Sequence, residues 1–317
     1  MGNLMRNDMK IVFLDEYSVG GTDLSAIKAL GDYTGYDITH RNEILERSKG
    51  AEIIIANKTI LDADTIAALP DLRLICVAAT GMNNVDLEAA AAHGVEVRNA
   101  VGYSTYSVAE TTIGSAIALL REVVYYDEYF KSGRYAAADY LFNYDRPTSQ
   151  LRGKKWGIIG LGNIGREVAR LAEAFGCEVC YYSTSGVGRD EEYKRVELSE
   201  LLESSDIVSI HCPLSDRTRN LIDWKEFEKM KSSAIIINVA RGGIINEEAL
   251  AEALDSGKIR GAALDVFSRE PLRSSPLYNI KDKYRLLASP HNAWSAEASL
   301  KRLVDCIVQN IKTFQAK

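Results

Sequence analysis

Short apolar runs alternate with segments of helical periodicity along most of the chain, a pattern typical of parallel sheets covered by helices. In the first hundred residues the pattern predicts strands at 10–15, 53–56, 74–78 and 95–98, with helices starting near Asp23 and covering 87–93. A second series predicts strands at 155–160, 178–182, 206–211, 234–239, 260–264 and 285–288, and a last helix at 296–314. Two such series in 317 residues predict two α/β domains.

The region between the two series has a different pattern. Ser107 and Glu110 have the spacing of a capping box, which would begin a helix whose apolar residues recur at helical intervals to about Lys131. Residues 132–153 show little periodicity and predict an extended surface connection. Because the predicted helix is long, we expect it to cross between the two domains.

Composition and charge exclude several classes of protein. The hydrophobic fraction of 46% and charged fraction of 26% are typical of a soluble globular protein. The 38 Lys and Arg against 44 Asp and Glu give a net charge of −6, so no nucleic-acid or anionic-membrane partner is expected. No secretory signal or membrane span is visible in the apolar pattern, and a cytoplasmic location is expected.

The five cysteines are an odd number scattered along the chain, which does not suggest a disulfide framework. Cys177 and Cys180 form a C-x-x-C pair inside a predicted strand. A zinc site would need two further ligands, and no second Cys/His pair has suitable spacing. We interpret these cysteines as buried thiols, and we expect no metal.

The segment GLGNIG at 160–165 fits the phosphate-binding pattern G-x-G-x-x-G. The pattern alone is weak, but here it follows an apolar strand and opens a helix, which is the context that gives it meaning. Gly160 would allow the tight turn, Gly162 would let a pyrophosphate approach the backbone, and Gly165 would let helix and strand pack closely. The helix N-terminus would present free N–H groups to the phosphates. The sequence therefore predicts a dinucleotide site.

The next strand of such a fold usually ends in an acid that binds the ribose 2′-hydroxyl of NAD. Here it is followed by Ser183, Thr184 and Ser185, so no carboxylate at this point would repel the 2′-phosphate of NADP. Arg189 could add positive charge, whereas the acids at 190–192 would oppose a phosphate. The hydroxyl cluster favours NADPH, and the alternative is a solvated turn that admits either cofactor.

Polar residues follow three later strands, at the edge where doubly wound sheets bind ligands. Arg241 lies in NVARGG, Glu270 in ALDVFSREP and His291 in SPHNAW. An Arg, a Glu and a His at such positions suit the reduction of a 2-oxo acid, which needs a carboxylate-binding group and a proton donor. The alternative for Arg241 and Glu270 is an ordinary surface ion pair.

These motifs resemble the D-isomer-specific 2-hydroxyacid dehydrogenase family, as do VAATGMNNVDLEAA at 77–90, NAVGYSTYSVAE at 99–110 and HCPLSDRTRNLID at 211–223. The resemblance covers nearly the whole chain in the family's order. It implies an NAD(P)-dependent oxidoreductase that reduces a small 2-oxo acid to the D-2-hydroxy acid by hydride transfer.

The resemblance also implies the domain arrangement. A Rossmann cofactor domain at 103–289 would be inserted into a flavodoxin-like substrate domain at 1–102 and 290–317, both being doubly wound parallel-sheet domains. The active site would lie in the cleft between them, and domain closure would exclude water. A homodimer is expected, with the crossover-helix region in the interface.

Roles for the polar residues follow from the same resemblance. His291 would protonate the substrate carbonyl oxygen, and Glu270 would orient His291 and raise its pKa. Arg241 would bind the substrate carboxylate and polarise the carbonyl.

Further binding residues are implied in the same way. The backbone amides of Thr80 and Gly81 would bind the substrate carboxylate. Tyr103 and Trp294 would line the substrate pocket, although simple packing is the alternative for both. The remaining cofactor contacts would come from Asn163, Ile164, Cys212, Pro213, Val239 and, at the nicotinamide end, Asp265.

The segment at 101–110 is most similar to glycerate dehydrogenases and to hydroxypyruvate or glyoxylate reductases. A phosphorylated substrate would require a basic residue before the carboxylate loop, where residues 77–79 are VAA. We therefore expect hydroxypyruvate or glyoxylate as substrate and no regulatory extension after Lys317. A D-lactate or phosphoglycerate-type dehydrogenase, or a non-catalytic dinucleotide-sensing protein on the same scaffold, are the alternatives.

Overall fold

The computed structural model describes residues 8–187 and 192–317. The chain forms two compact units. Unit 1 comprises the described residues up to Ser104 together with Ser295–Lys317, and unit 2 comprises Thr105–Trp294. Each unit contains a parallel sheet whose strands alternate with helices, which confirms the predicted class of two doubly wound α/β domains.

Unit 1 is built on five strands: β1 Lys10–Phe13, β2 Asp32–Gly35, β3 Ile53–Ala56, β4 Leu74–Val77 and β5 Glu96–Asn99. Its helices are α1 Ser25–Lys28, α2 Ile44–Arg47, α3 Ala63–Ala67, α4 Leu87–Ala92 and the C-terminal α11 Glu297–Gln315, with 3₁₀ turns at Glu16–Val19 and Arg41–Glu43. The strand order is β2-β1-β3-β4-β5, and the registered pairs are parallel.

Unit 2 contains seven strands: β6 Lys155–Ile159, β7 Glu178–Tyr182, β8 Lys194–Arg195, β9 Ile207–Ile210, β10 Ile235–Asn238, β11 Gly261–Leu264 and β12 Leu286–Ala288. Its helices are α5 Thr105–Leu120, α6 Val123–Lys131, α7 Asn163–Ala174, α8 Leu198–Ser204, α9 Trp224–Lys229 and α10 Glu247–Asp255, with 3₁₀ turns at Pro276–Asn279 and Lys283–Arg285. The strand order is β12-β11-β10-β9-β6-β7-β8.

The central strands form from short, mostly apolar runs; Ser209 in β9 and Asn238 at the end of β10 are the polar residues among them. All residues of β3, β4, β9, β10 and β11 are buried, as expected for parallel strands covered on both faces. In unit 2 the strand order reverses between β9 and β6, and doubly wound sheets bind ligands in the crevice at such a switch point. We therefore expect the ligand site of unit 2 at the carboxyl ends of these strands.

The two strands that the sequence did not predict are both at sheet edges. In β2, Asp32 is exposed and the other three residues are half-buried, while both residues of β8 are exposed. Because β2 and β8 bury little apolar surface, their sequences lack the hydrophobic signal used for the other strands.

The predicted capping box is wrong. Ser107 lies inside α5, and its hydroxyl donates to the carbonyl oxygen of Ala293 at 2.6 Å rather than capping the helix. Asp23 was also expected to begin a helix. Its carboxylate accepts from the backbone N–H of Ser25 at 2.9 Å, but the cap position belongs to Leu24 and the helix spans one turn.

The long helix predicted to Lys131 is interrupted. Glu122 has a left-handed backbone conformation, φ 54°, which ends α5 and begins α6. Its nearly buried carboxylate accepts from Arg146 at 2.6 Å and from Arg260 at 3.2 Å. These two arginines compensate the buried charge and explain why Glu122 tolerates the unusual conformation.

The segment 132–153 has the form that the sequence predicts. Residues 132–153 contain no helix or strand in the structure and are largely exposed. All five cysteines are free: Cys76, Cys177 and Cys212 are buried as expected, whereas Cys180 and Cys306 are only half-buried. Burial raises the pKa of Cys177 to about 11. Within the described ranges, no helix has the length and apolar character needed to cross a bilayer.

Candidate active site and cofactor site

The glycine-rich turn connects β6 to α7. Gly160 has φ +94°, and a Cβ atom there would lie 2.9 Å from Cys212 Cβ. A Cβ atom at Gly165 would overlap the carbonyl oxygen of Gly160, so helix and strand can approach closely only through glycine. At Gly162, by contrast, no atom of the described residues lies within 4 Å of a Cβ position. The turn is thus tightly packed on its protein side and open at Gly162.

This open cradle fits the pyrophosphate of a dinucleotide. Gly162 occupies the N-cap of α7, and no side chain in the described part of the chain caps the helix. The first N–H groups and the positive end of the helix dipole are therefore available to an anion. Asn163 is exposed at the first helical position, and Ile164 is half-buried against the core.

The remaining predicted cofactor residues lie along the same sheet edge. Cys212 and Pro213 follow β9, and Val239 follows β10. Cys212 and Val239 are buried, whereas Pro213 is exposed. The strand order β10-β9-β6 places Cys212 and Pro213 one strand from the glycine turn and Val239 two strands from it, at the same end of the sheet.

The three hydroxyl residues after β7 form a closed turn. Ser183 is buried, and its hydroxyl donates to the carbonyl oxygen of Val187 at 2.6 Å and lies 3.3 Å from the Ser185 hydroxyl. Thr184 is half-buried, and Ser185 is exposed. Arg189, Asp190 and Glu191, which the sequence also suggested, lie outside the described residues.

A cavity of about 410 Å³ adjoins this turn, and two arginines that the sequence did not indicate line it. Arg195 ends the edge strand β8, and Arg217 belongs to the loop after β9. Neither stands in a recognisable motif with the hydroxyl residues, so only the fold places them together.

The proton-donor candidate is tightly placed. His291 Nδ1 lies 2.7 Å from Glu270 Oε2, and Glu270 Oε1 accepts from the backbone N–H of Phe267 at 3.0 Å. Both side chains of the pair are partly exposed, at 23% for His291 and 33% for Glu270, so Nε2 of the ring is not enclosed in the core. The carboxylate fixes the ring orientation and leaves Nε2 for another partner.

The backbone of the His291 loop is held by Asp265. The Asp265 carboxylate is buried and accepts from the Ser289 hydroxyl at 2.6 Å and from the backbone N–H groups of Asn292 at 2.9 Å and Ala293 at 3.0 Å. His291 itself has φ 54°, and its backbone N–H donates to the carbonyl oxygen of Asp265 at 2.8 Å. Asp265 therefore positions the loop that carries His291.

Trp294 reinforces this loop. Its indole Nε1 donates to the carbonyl oxygen of His291 at 2.9 Å, and its ring packs on the core of unit 2. For Trp294, the packing role that the sequence left open is therefore present, and it also ties the indole to the His291 backbone.

Arg241 lies at the end of β10, where Asn238 shapes the turn. The Asn238 side chain donates to the carbonyl oxygen of Arg241 at 2.9 Å and accepts from the backbone N–H of Ala240 at 3.1 Å. A side chain at Gly242 would overlap the backbone of Phe267, so the Arg241 turn packs directly on the loop leading to Glu270. One Arg241 guanidinium nitrogen donates to the carbonyl oxygen of Ala240 at 2.6 Å. No carboxylate of the described ranges pairs with the guanidinium, so its charge is available to a substrate carboxylate.

The predicted residues of unit 1 lie in two neighbouring loops. The Thr80 hydroxyl donates to the carbonyl oxygen of Ala100 at 2.9 Å. The Asn99 side-chain amide donates to the backbone carbonyl oxygen of Thr80 at 2.6 Å. Gly81 is half-buried in the same loop. Tyr103 is buried, and its carbonyl oxygen accepts from Arg302 at 3.2 Å.

Comparison with known proteins decides the family. Residues 113–293 match the model described as D-isomer specific 2-hydroxyacid dehydrogenase, NAD binding domain. The chain belongs to this family. It is thus a 2-hydroxyacid dehydrogenase, an oxidoreductase that binds a nicotinamide dinucleotide.

Named relatives of this dehydrogenase cover almost its whole length. A glycerate dehydrogenase of Methylorubrum extorquens is 37% identical over 97% of this chain and 96% of its own. A hydroxypyruvate reductase of Blautia hydrogenotrophica is 36% identical over 96% of this chain and 97% of its own. Among solved structures, an acyclic imino acid reductase in complex with NADPH and D-Arg has a TM-score of 0.86 at 26% identity, covering 97% of both chains.

The glycine turn of this dehydrogenase and the segments of Arg241, Glu270 and His291 all lie within the matched residues. The family match and the geometry of unit 2 therefore concern the same strand ends.

Proposed function

We propose that this dehydrogenase reduces hydroxypyruvate or glyoxylate to the corresponding D-2-hydroxy acid. The observation that carries the proposal is the His291–Glu270 pair, 2.7 Å apart, at the same sheet edge as the glycine turn and Arg241. A proton donor, a free cation and a dinucleotide cradle are the groups that carbonyl reduction requires.

In the proposed reaction, a bound nicotinamide dinucleotide supplies the hydride to C2 of the substrate. His291 donates a proton to the carbonyl oxygen from Nε2, while Glu270 keeps Nδ1 occupied and orients the ring. Arg241 binds the substrate carboxylate with its planar guanidinium and polarises the neighbouring carbonyl. Asp265 and Trp294 position the His291 loop.

The roles of Thr80, Gly81 and Tyr103 in substrate binding stay predictions, as does contact of Asp265 with the nicotinamide. Substrate contact by Trp294 is likewise a prediction beside its observed packing.

Two observations support the small, unphosphorylated substrate. The relatives named above include a glycerate dehydrogenase and a hydroxypyruvate reductase. Residues 77–79, which precede the Thr80 loop, are apolar and offer no cation to a phosphate.

For the cofactor we propose a preference for NADPH over NADH. The strand β7 is followed by the hydroxyl residues 183–185, and no carboxylate stands at Ser183 to repel a 2′-phosphate. Glu192 and Glu197, of which Glu197 lines the adjoining cavity, act against this preference, because their carboxylates would repel a 2′-phosphate. The ratio of kcat/KM with NADPH to kcat/KM with NADH measures the preference.

We further propose a homodimer. Large apolar side chains between Phe130 and Tyr144 are 67% to 85% exposed in five cases: Phe130, Tyr140, Leu141, Phe142 and Tyr144. Exposed apolar groups of this density are typical of surfaces that another chain covers.

The substrate assignment is tested by comparing kcat/KM for hydroxypyruvate, glyoxylate, pyruvate and phosphohydroxypyruvate, each with NADPH and with NADH. We expect hydroxypyruvate or glyoxylate to exceed the other two acids by about tenfold or more, because one misplaced polar or charged group costs at least that much. A preference for pyruvate or for the phosphorylated acid would contradict the proposal.

A further inference from the structure

Two arginine side chains line the cavity beside the Ser183 turn. Arg195 and Arg217 line it, together with Thr184 and Glu197. Both arginines are exposed, and neither forms an ion pair or a side-chain hydrogen bond with another residue of the described ranges. Among the described residues that line the cavity, one carboxylate stands against two guanidinium groups.

The fold fixes where these arginines stand. Arg195 pairs with Tyr181 in the parallel register of β7 and β8, so it lies one strand outward from the end of β7. Arg217 lies in a loop that Thr218 makes rigid, since the Thr218 hydroxyl donates to the carbonyl oxygen of Pro213 at 2.7 Å and accepts from the backbone N–H of Ser215 at the same distance. The two side chains therefore reach the cavity from opposite sides of the β7 end.

This location corresponds to one part of a bound dinucleotide. A dinucleotide bound in the manner of this fold would place its pyrophosphate at the glycine turn after β6 and its adenosine ribose toward the end of the neighbouring strand β7. The ribose 2′ position would then be next to the cavity that Arg195 and Arg217 line. Guanidinium groups bind phosphate oxygens with two parallel hydrogen bonds, which makes them well suited to a phosphomonoester.

We propose that Arg195 and Arg217 bind the 2′-phosphate of NADPH and are the residues that determine the cofactor preference. The proposal rests on the NADPH preference in the proposed function, and it names side chains on β8 and on the β9 loop instead of the hydroxyl cluster. Ser183 then stabilises the turn after β7, because its hydroxyl donates a hydrogen bond to the carbonyl oxygen of Val187.

The test measures binding alone, with nucleotides that cannot transfer hydride. Calorimetric titration compares the Kd of 2′,5′-ADP with that of ADP for the wild type, Arg195→Gln, Arg217→Gln and the double variant. We expect the wild type to bind 2′,5′-ADP about tenfold or more tightly than ADP, since charge-assisted hydrogen bonds are the strong ones. Each single variant reduces this ratio, and the double variant brings it near one, with the Kd of ADP changed by less than about twofold.

Lys194→Gln is the matched control, because it removes a positive charge from the same short strand at a residue that already pairs with Glu200. It should leave the ratio unchanged. Arg217→Lys keeps the charge and should retain part of the preference. A wild type that binds both nucleotides equally, or a double variant that keeps the wild-type ratio, overturns the proposal.

These outcomes are separable from the reaction itself. If the arginines are wrongly assigned but the proposed function holds, hydroxypyruvate or glyoxylate is still reduced and the variants keep the nucleotide preference. If the proposed function fails, hydroxypyruvate and glyoxylate are not preferred over pyruvate and phosphohydroxypyruvate with either cofactor, whatever the ratio of the two nucleotides.

Discussion

At the scale of single residues, His211 shows how burial controls charge near the cofactor cradle. Its ring is enclosed at the end of β9, and burial lowers its pKa to about 3. The Ser209 hydroxyl accepts from Trp156 Nε1 at 2.8 Å, so its own proton is free to be donated to His211 Nε2, 2.9 Å away. This arrangement suits the neutral ring, because Nε2 acts as an acceptor.

We predict that His211 makes the folded protein less stable in acid. The folded pKa is below the unfolded value of about 6.5, so the unfolded chain takes up a proton first. Stability from the neutral ring is complete above about pH 6.5 and falls by up to about 1.4 kcal/mol per pH unit toward pH 3. The measurement is the drop in melting temperature between pH 7 and pH 5, which should be smaller in His211→Asn.

His93, at the exposed end of α4, provides the control. His93→Asn should show the same pH dependence as the wild type. If His211→Asn also matches the wild type, His211 does not control the acid sensitivity.

The sequence identified His291, Glu270 and Arg241 because each stands in a distinctive motif after a predicted strand. It gave no sign of the hydrogen bonds from Asn238 and Ser289 that shape their loops, or of Arg195 and Arg217. These residues act through partners distant in sequence, and only the parallel strand order brings them to one edge.

At the scale of elements, buried strands were predictable and exposed ones were not. β3 is an uninterrupted apolar run, as is β10 up to Asn238, whereas β8 consists of two charged residues that are in the sheet only through pairing with β7. The break between α5 and α6 was missed for a related reason. The Glu122 conformation depends on Arg146 and Arg260, which are 24 and 138 residues away along the chain.

The β6–α7 turn gives a prediction that separates folding from binding. Gly162→Ala places a methyl group in open space, so the melting temperature should stay at the wild-type value while the Kd for the dinucleotide rises roughly ten- to hundredfold. Gly165→Ala forces a methyl group against the Gly160 carbonyl and should lower the melting temperature as well, because overpacking costs about 1–3 kcal/mol.

Thermal unfolding and fluorescence titration on the same preparations check both variants. A Gly162→Ala protein that binds the dinucleotide like the wild type would show that the pyrophosphate does not lie in this cradle.

At the scale of the whole molecule, the exposed apolar residues at 130–144 are the surface that we expect to form the interface of the proposed homodimer. Because the side chains of Leu141 and Phe142 are exposed, the double variant Leu141→Ser/Phe142→Ser should weaken the proposed dimer. Light scattering during size-exclusion chromatography should give twice the chain mass for the wild type and the single-chain mass for the variant.

Tyr17→Ser serves as the control, since Tyr17 is 76% exposed in unit 1 and outside this stretch. Its mass should equal that of the wild type. A wild type that elutes as a single chain, or a double variant that stays dimeric, would contradict the proposed interface.

The central claim is that His291 supplies the proton in carbonyl reduction. The most direct measurement compares the kcat of wild type and His291→Gln with saturating hydroxypyruvate and NADPH, alongside the Kd for NADPH of each protein. We predict a loss in kcat of about 10²- to 10⁴-fold with the Kd changed by less than about twofold, as expected for removal of a general acid. Undiminished turnover in His291→Gln would contradict it.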